Sequence, residues 1–204
     1  MAYKRSALMQ QRLNNNRNRI LHAARQCVSR GGFRATTMAL VAADAGLSTG
    51  SIYRYFPSKA DLFVSVLQDA VRNEIAVLNA VIQQQSEPRR QLRAAVASFA
   101  RRALEGPFLA YAFIAEPAEP AVDAERIRAR RQFGAVFKSV LQDGIASGVF
   151  PQQDALVASS CIVGAFTEAL IGPTAPSAGS RRNAAALIES ICDFCERAVL
   201  RPAT

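Results

Sequence analysis

The chain has 204 residues, half of them hydrophobic, enough for one large or two small domains around a buried core. Its formal charge of +9 is unevenly placed: residues 1–60 hold ten Lys or Arg against one acid, Asp44, while residues 61–204 hold fifteen of each sign. A basic third beside a neutral two-thirds implies two parts with different partners, the basic one facing a polyanion such as nucleic acid or an anionic membrane surface.

The opening run MAYKRSALMQQRLNNNRNR is basic and lacks the apolar centre of a signal peptide. The longest uncharged apolar run, residues 155–167, is shorter than the roughly 20 residues a membrane-crossing helix needs, so the expected location is the cytoplasm. From Arg17 the apolar residues Ile20, Ala23, Ala24, Cys27 and Val28 recur at helical spacing until Gly31 and Gly32 end the run and Phe33 follows as a plug. Thr36 and Thr37 can cap a second helix with Leu40, Val41 and Ala45 on its inward side, and Gly46 suits the left-handed turn that closes it. Ser48 caps a short third helix that Pro57 stops after Phe56. A long fourth helix starts at Ser58, with Leu62, Phe63, Val66, Leu67, Val71, Ile75, Leu78 and Ile82 in its stripe.

Two helices joined by Ala45-Gly46-Leu47 make a helix-turn-helix. In the short helix Ile52 and Phe56 share the inward face with Leu47 nearby, which leaves Thr49, Gly50, Tyr53 and Arg54 outward. Small residues at its start let the backbone approach the floor of a major groove, Tyr53 can donate to a phosphate, and Arg54 can reach guanine edges or phosphate. Lys59 stands in the first turn of the next helix, where free backbone NH groups also attract phosphate.

The run RILHAARQCVSRGGFRATTMALVAADAGLSTGSIYRYFPSKADLF, residues 19–63, resembles the DNA-binding domain of the TetR/AcrR family of bacterial transcriptional regulators. The resemblance implies an all-α homodimer whose N-terminal three-helix head binds a palindromic operator in double-stranded DNA and whose C-terminal helices bind an inducing small molecule. It places the family's DNA contacts on Thr37, Thr49, Gly50, Tyr53, Tyr55 and Lys59, with Arg54 beside them. Thr49 stands where many members carry lysine, and the basic arm with Lys4, Arg5 and Arg12 is longer than such regulators need.

Residues 61–204 read as a second, helical domain for ligand binding and dimerisation, set against the basic arm and head of residues 1–60. A fifth helix carries Leu92, Val96, Phe99 and Ala103 between Glu87-Pro88 and Gly106-Pro107, and the short apolar piece PFLAYAFIAEP follows. A helix over 122–148 carries Ile127, Val136, Phe137, Val140, Leu141 and Ile145; the next, over 154–171, has the small residues Ser160, Gly164 and Thr167 on one face. Residues 172–179 read as a loop, and a last helix over 180–200 is apolar at Leu187, Ile188, Ile191, Phe194, Cys195 and Val199. The last two helices are apolar over much of their circumference, so they are the expected dimer interface, through Gly164, Leu187, Ile191, Phe194 and Cys195.

Phe99, Phe108, Tyr111, Phe113, Phe133, Phe137 and Phe166 supply aromatic surface for an apolar ligand pocket, although aromatics at this spacing more often build core; Arg102 and Arg130, at the edges of their stripes, are placed to meet an anionic group. Enzyme chemistry is not expected: there is no glycine-rich phosphate loop or nucleophile elbow, and the one histidine, His22, lies off its apolar stripe. Cys192 and Cys195 form a CxxC without a second ligand pair, which leaves no metal or cofactor site expected; helix packing is the expected role, with redox sensing as the alternative. The sequence therefore reads as a dimeric DNA-binding transcriptional regulator, a repressor released by a small molecule. The alternative is a ligand-binding or membrane-associated helical protein whose basic head meets anionic lipid.

Overall fold

The computed structural model describes residues 2–177 and 183–200, with side chains from residue 9 onward. Among the described residues all regular structure is helical: α1 (Ala2–Ala35), α2 (Met38–Ala45), α3 (Thr49–Tyr55), α4 (Lys59–Gln83), α5 (Pro88–Glu105), α6 (Pro107–Ile114), α7 (Pro120–Ala146), α8 (Ala155–Thr174) and α9 (Ala184–Arg197).

α1 breaks where glycine permits it. Gly32 sits at φ 76° and ψ −176°, a conformation essentially closed to other residues, and the reversal drives Phe33 into the core with 3% exposure. Phe33 stacks between Phe63 of α4 (ring centroids 4.5 Å apart) and Phe113 of α6 (5.7 Å), so the end of α1 is joined to the rest of the protein. The caps follow sequence chemistry. The hydroxyls of Thr37, Ser48 and Ser58 accept the backbone NH of Leu40, Ser51 and Asp61, starting α2, α3 and α4. Gly46 takes the left-handed conformation (φ 62°), and Leu47 NH then donates to Ala42 O at 3.0 Å, closing α2.

Two cores result. The head core gathers Ile20, Ala24, Val41, Ile52 and Phe56, and takes Leu62 and Val66 from α4. The body core contains Phe63, Leu67, Val71 and Leu78 from the opposite side of the same helix, with Leu92, Val96, Phe137, Leu141, Phe166 and Ile188. α5 is clipped to α9 by Arg93, which donates to Asp193 (2.8 Å) and Glu196 (2.9 Å). Cys192 and Cys195 are buried in the same contact, where burial raises their thiols to about 11 and about 12 and keeps them protonated.

Several expectations need correction. α1 starts at Ala2 rather than near Arg17, because no glycine or proline interrupts residues 2–30; the side chains of Lys4 and Arg5 lie outside the described residues. Leu40 is 51% exposed, since the inward row of α2 is Met38, Val41, Ala42 and Ala45 and Leu40 falls one residue off it. Ile127 is likewise off the inward row of α7 and 52% exposed. Residues 107–114, which read in sequence only as a short apolar piece with no element assigned, form α6, which starts with Pro107 in its first turn. α8 passes through Gly172-Pro173 to Thr174, whose hydroxyl bonds Leu170 O at 2.7 Å, so the expected loop loses its first residues. At 20 residues α8 is long and apolar enough to cross a membrane by length and composition, contrary to the shorter run counted in sequence. Ser180, the expected start of the last helix, lies outside the described residues.

Candidate nucleic-acid interface and internal cavity

α3 is held to the head by Ile52 and Phe56, each almost fully buried and each contributing about 1.5–3 kcal/mol of apolar burial. That anchoring turns Thr49, Gly50, Tyr53 and Arg54 outward, and all four are exposed. An added Cβ at Gly50 would meet no protein atom within 4 Å, so internal packing does not demand a glycine there. Thr37 is exposed at the start of α2, and its capping role leaves the hydroxyl proton free. Lys59 begins α4 with its ammonium 5.1 Å from the centre of the Phe63 ring.

Tyr55 stands apart from this outward set. Its ring is half-buried against the head core, and its hydroxyl accepts a bond from Asn16 Nδ2 at 3.2 Å. Three other head residues act in ways the sequence did not disclose. Arg19 Nη2 donates to Ala45 O at 2.6 Å and ties α1 to the turn, while the Arg17 guanidinium lies 5.2 Å from the Phe56 ring. Arg30 pairs with Asp44, the one acid of residues 1–60, and its hydrogen bond holds that carboxyl below its ordinary range. Such contacts depend on which side chains the folded helices bring together, and single-helix periodicity carries no signal for them.

Between α4, α5, α6, α7 and the side of α1 lies a cavity of about 420 Å³. Of the expected ligand residues, Phe99, Arg102 and Phe133 line it, as do Phe113 and Arg130. Phe137 and Phe166 do not; they are fully buried, with Phe166 stacked on Phe99 and Phe137 in the core. Phe108 and Tyr111 lie outside the lining as well, because the turn of α6 that faces inward presents Leu109, Ala110, Phe113 and Ile114. Arg102 is engaged by Glu74 and donates to Ser98 Oγ at 2.6 Å.

Sequence reasoning missed Arg25 and Arg126. Arg25 reaches the cavity from α1, a helix of the head. Arg126 is only 8% exposed at the cavity wall, and burial, followed by the like charge of Arg130, works against its protonated form. It donates to Asp123 Oδ1 and to the backbone oxygens of Ala112 and Glu116, and its Nε is a buried donor without a partner. The Glu116 carboxylate in turn accepts the backbone NH of Phe33 (2.8 Å) and Arg34 (3.0 Å), directly after the break in α1.

The residues expected at a dimer interface divide in two. Gly164 and Phe194 are exposed, Phe194 at 57%, and Leu187 is half-buried. Ile191 and Cys195 point inward, 6% and 1% exposed, because α9 turns its strongest apolar row onto α5. On α8, Val157, Cys161, Gly164 and Glu168 follow one outward stripe at helical spacing, flanked by Leu156.

Comparison with known proteins places these features. Residues 20–66 match the family of bacterial regulatory proteins called the tetR family, and residues 85–170 match the tetracyclin repressor-like C-terminal domain. The chain is 49% identical over 51 residues to the HTH-type transcriptional repressor KstR of Mycolicibacterium smegmatis, a match covering 25% of each protein. It is 33% identical over 86 residues to the HTH-type transcriptional activator FasR of the same organism, covering 42% of this chain and 39% of FasR. These matches span well under half the length of either relative. The fold is similar to that of the transcriptional regulator FadR of Bacillus subtilis, solved in complex with stearoyl-CoA: TM-score 0.76, 18% identity, with 89% of this chain and 98% of FadR covered.

Proposed function

Because the chain belongs to the TetR family of bacterial regulatory proteins, we propose that it is a transcriptional repressor that binds a palindromic operator as a homodimer and leaves it when a small molecule fills the body cavity. The observation that carries this reading is the bare outward face of α3, with Thr49, Gly50, Tyr53 and Arg54 exposed on a head that holds the chain's entire net charge. Non-specific attraction comes from the charge, and Tyr53 and Thr37 fix register on phosphates. Arg54 reads a base edge, while Gly50 lets the backbone approach the groove. Lys59 neutralises a phosphate beside the start of α4. Tyr55 acts through its bond to Asn16, setting the angle between α3 and α1.

One seven-residue recognition helix is too small for useful specificity, so two heads must be set about one turn of DNA, roughly 34 Å, or a multiple of it, apart. The outward stripes of α8 and α9, with Gly164 and Phe194, support a paired-helix interface for that purpose. It is the use we assign to the apolar surface of α8, one third of whose most apolar stretch is buried within the subunit. Ligand and DNA each favour one spacing of the heads, so each weakens the other.

Selection of binding sites from random duplexes tests the proposal. A palindrome with half-sites in register with the DNA turn is expected, bound in the presence of excess non-specific DNA. Binding that follows duplex charge alone, or that is matched by anionic vesicles, would overturn it.

A further inference from the structure

The cavity has an unequal charge inventory. Its lining includes four arginines (Arg25, Arg102, Arg126, Arg130) and two glutamates (Glu74, Glu105), against a predominantly apolar remainder. Glu74 is already paired with Arg102. Among the described residues Arg25 and Arg130 make no ion pair; Arg126 is paired with Asp123 and keeps one buried donor, its Nε, unused. Arg126 and Arg130 are one helical turn apart on α7. Burial is the main influence against the charged form of Arg126; Asp123 and Glu116 offset part of it, and Arg130 adds a small repulsion. An anion between the two arginines would satisfy the free Nε and relieve both costs. A cavity of about 420 Å³ suits a small ligand with an apolar body.

We propose, resting on the reading of this cavity as the effector site, that its ligand is an amphipathic monoanion, an apolar body with one carboxylate-like group seated on Arg126 and Arg130 within reach of Arg25. The charge sits where it affects the head. Arg126 secures the oxygens of Ala112 and Glu116 at the end of α6, and the Glu116 side chain caps Phe33 and Arg34 after the break in α1. The Arg126 guanidinium also lies 5.9 Å from the Phe33 ring. An anion that turns Arg126 toward the cavity withdraws those donors from the carbonyls and loosens the Glu116 cap. Arg25 carries the same signal directly, because it belongs to α1.

The test is calorimetry on the full-length protein with chain-matched probes: octanoate, decanoate and dodecanoate against the corresponding primary alcohols and alkylammonium ions. At least one carboxylate is expected to bind on the order of tenfold or more tightly than its alcohol, the gain of a charge-assisted hydrogen bond, and the ammonium ions are expected not to bind. Arg126→Gln strips donors from buried carbonyls and is exposed to misfolding, so Arg130→Gln and Arg25→Gln carry the test. Arg130→Gln should abolish most of the carboxylate preference while leaving alcohol binding unchanged. Equal affinity for carboxylate and alcohol, or a preference that survives both substitutions, overturns the anion seat and leaves the effector cavity standing. Binding of none of the three series overturns the cavity reading as well. The bound carboxylate should also weaken binding to the selected operator duplex, and Glu116→Gln should reduce that effect without reducing carboxylate affinity; an unchanged effect overturns the link to α1.

Discussion

Replacing Gly50 with alanine separates what the fold needs from what the proposed DNA contact needs. Gly50 is the second residue of α3, and a Cβ built on it meets no atom within 4 Å. Its backbone does not have the positive φ seen at Gly32, Gly46 and Gly148. The substitution therefore removes no packing and adds no strain. Alanine exceeds glycine in helix preference by up to about 1 kcal/mol at interior positions and by less in the first turn, so stability should stay level or rise slightly. In the proposed DNA complex the methyl group would stand between the α3 backbone and the groove floor. The expected loss is that of a misfit on the scale of one wrong base pair, about 1–3 kcal/mol, confined to the selected duplex. Binding to scrambled duplex should not change, because the head's charge is intact. Urea unfolding measures the first quantity, and fluorescence anisotropy with the two duplexes at one salt concentration measures the second. A fall in stability beyond about 1 kcal/mol, or full operator affinity in the variant, would refute the argument that this glycine is kept for the groove.

Arg54→Ala should relax base preference at one position of each half-site at a cost of about 1–3 kcal/mol, and Tyr53→Phe should weaken binding without changing preference; unfolding midpoints should hold for both, since both side chains are exposed. Combining Gly164→Arg with Phe194→Glu should give a protein that sediments as a monomer and keeps non-specific DNA binding while losing operator affinity; Ile191→Glu is the wrong probe because that side chain lies in the core. Gly144→Ala should destabilise the body by about 1–3 kcal/mol in thermal unfolding, because the new Cβ would run into the buried Phe150 ring. Iodoacetamide should leave Cys192 and Cys195 unmodified in the native protein at about pH 8, as burial holds both as thiols; their rapid alkylation, followed by mass spectrometry, would contradict the packing described.

Features governed by near neighbours were legible in the sequence. Thr37, Ser48 and Ser58 announce three helix starts because a cap needs only the residues two or three places on. Gly46 and Pro57 mark ends by backbone stereochemistry alone. Ile52 and Phe56 fix which side of α3 faces out, since a seven-residue helix has room for one inward row. Residues whose role depends on distant partners were not legible. Arg126 and Arg25 carry no sequence signal for the cavity, which forms only where α1 and α7 meet α4, α5 and α6. Phe137 and Phe166 carry the same aromatic signal as Phe99 and Phe133, and only the packing of α5 against α7 and α8 separates core from lining. The Glu116 cap joins residues more than eighty positions apart, a separation over which periodicity says nothing.

Charge and packing divide the chain at different places, and the difference constrains how the head can move. The net charge ends near residue 60, but the head core takes Leu62 and Val66 from α4, while the body core takes Phe63 and Leu67 from the same turns. From the other side, Val28 and Phe33 of α1 belong to the body core. A head cut at residue 60 would expose the apolar row of α1 and lose two large side chains from a core already near the lower size limit for independent folding. The head is therefore a rigid extension of α1 and α4, helices that also wall the cavity through Arg25, Leu67 and Val71. A shift of α4 in response to a filled cavity cannot be absorbed in a flexible linker, because only Pro57 and Ser58 separate Phe56, the residue that closes α3, from the start of α4. In the proposed dimer, α4, 25 residues and about 37 Å long, would act as a lever: a small displacement at Leu67 and Val71 would become a larger change in the separation of the two heads, which must match the DNA turn.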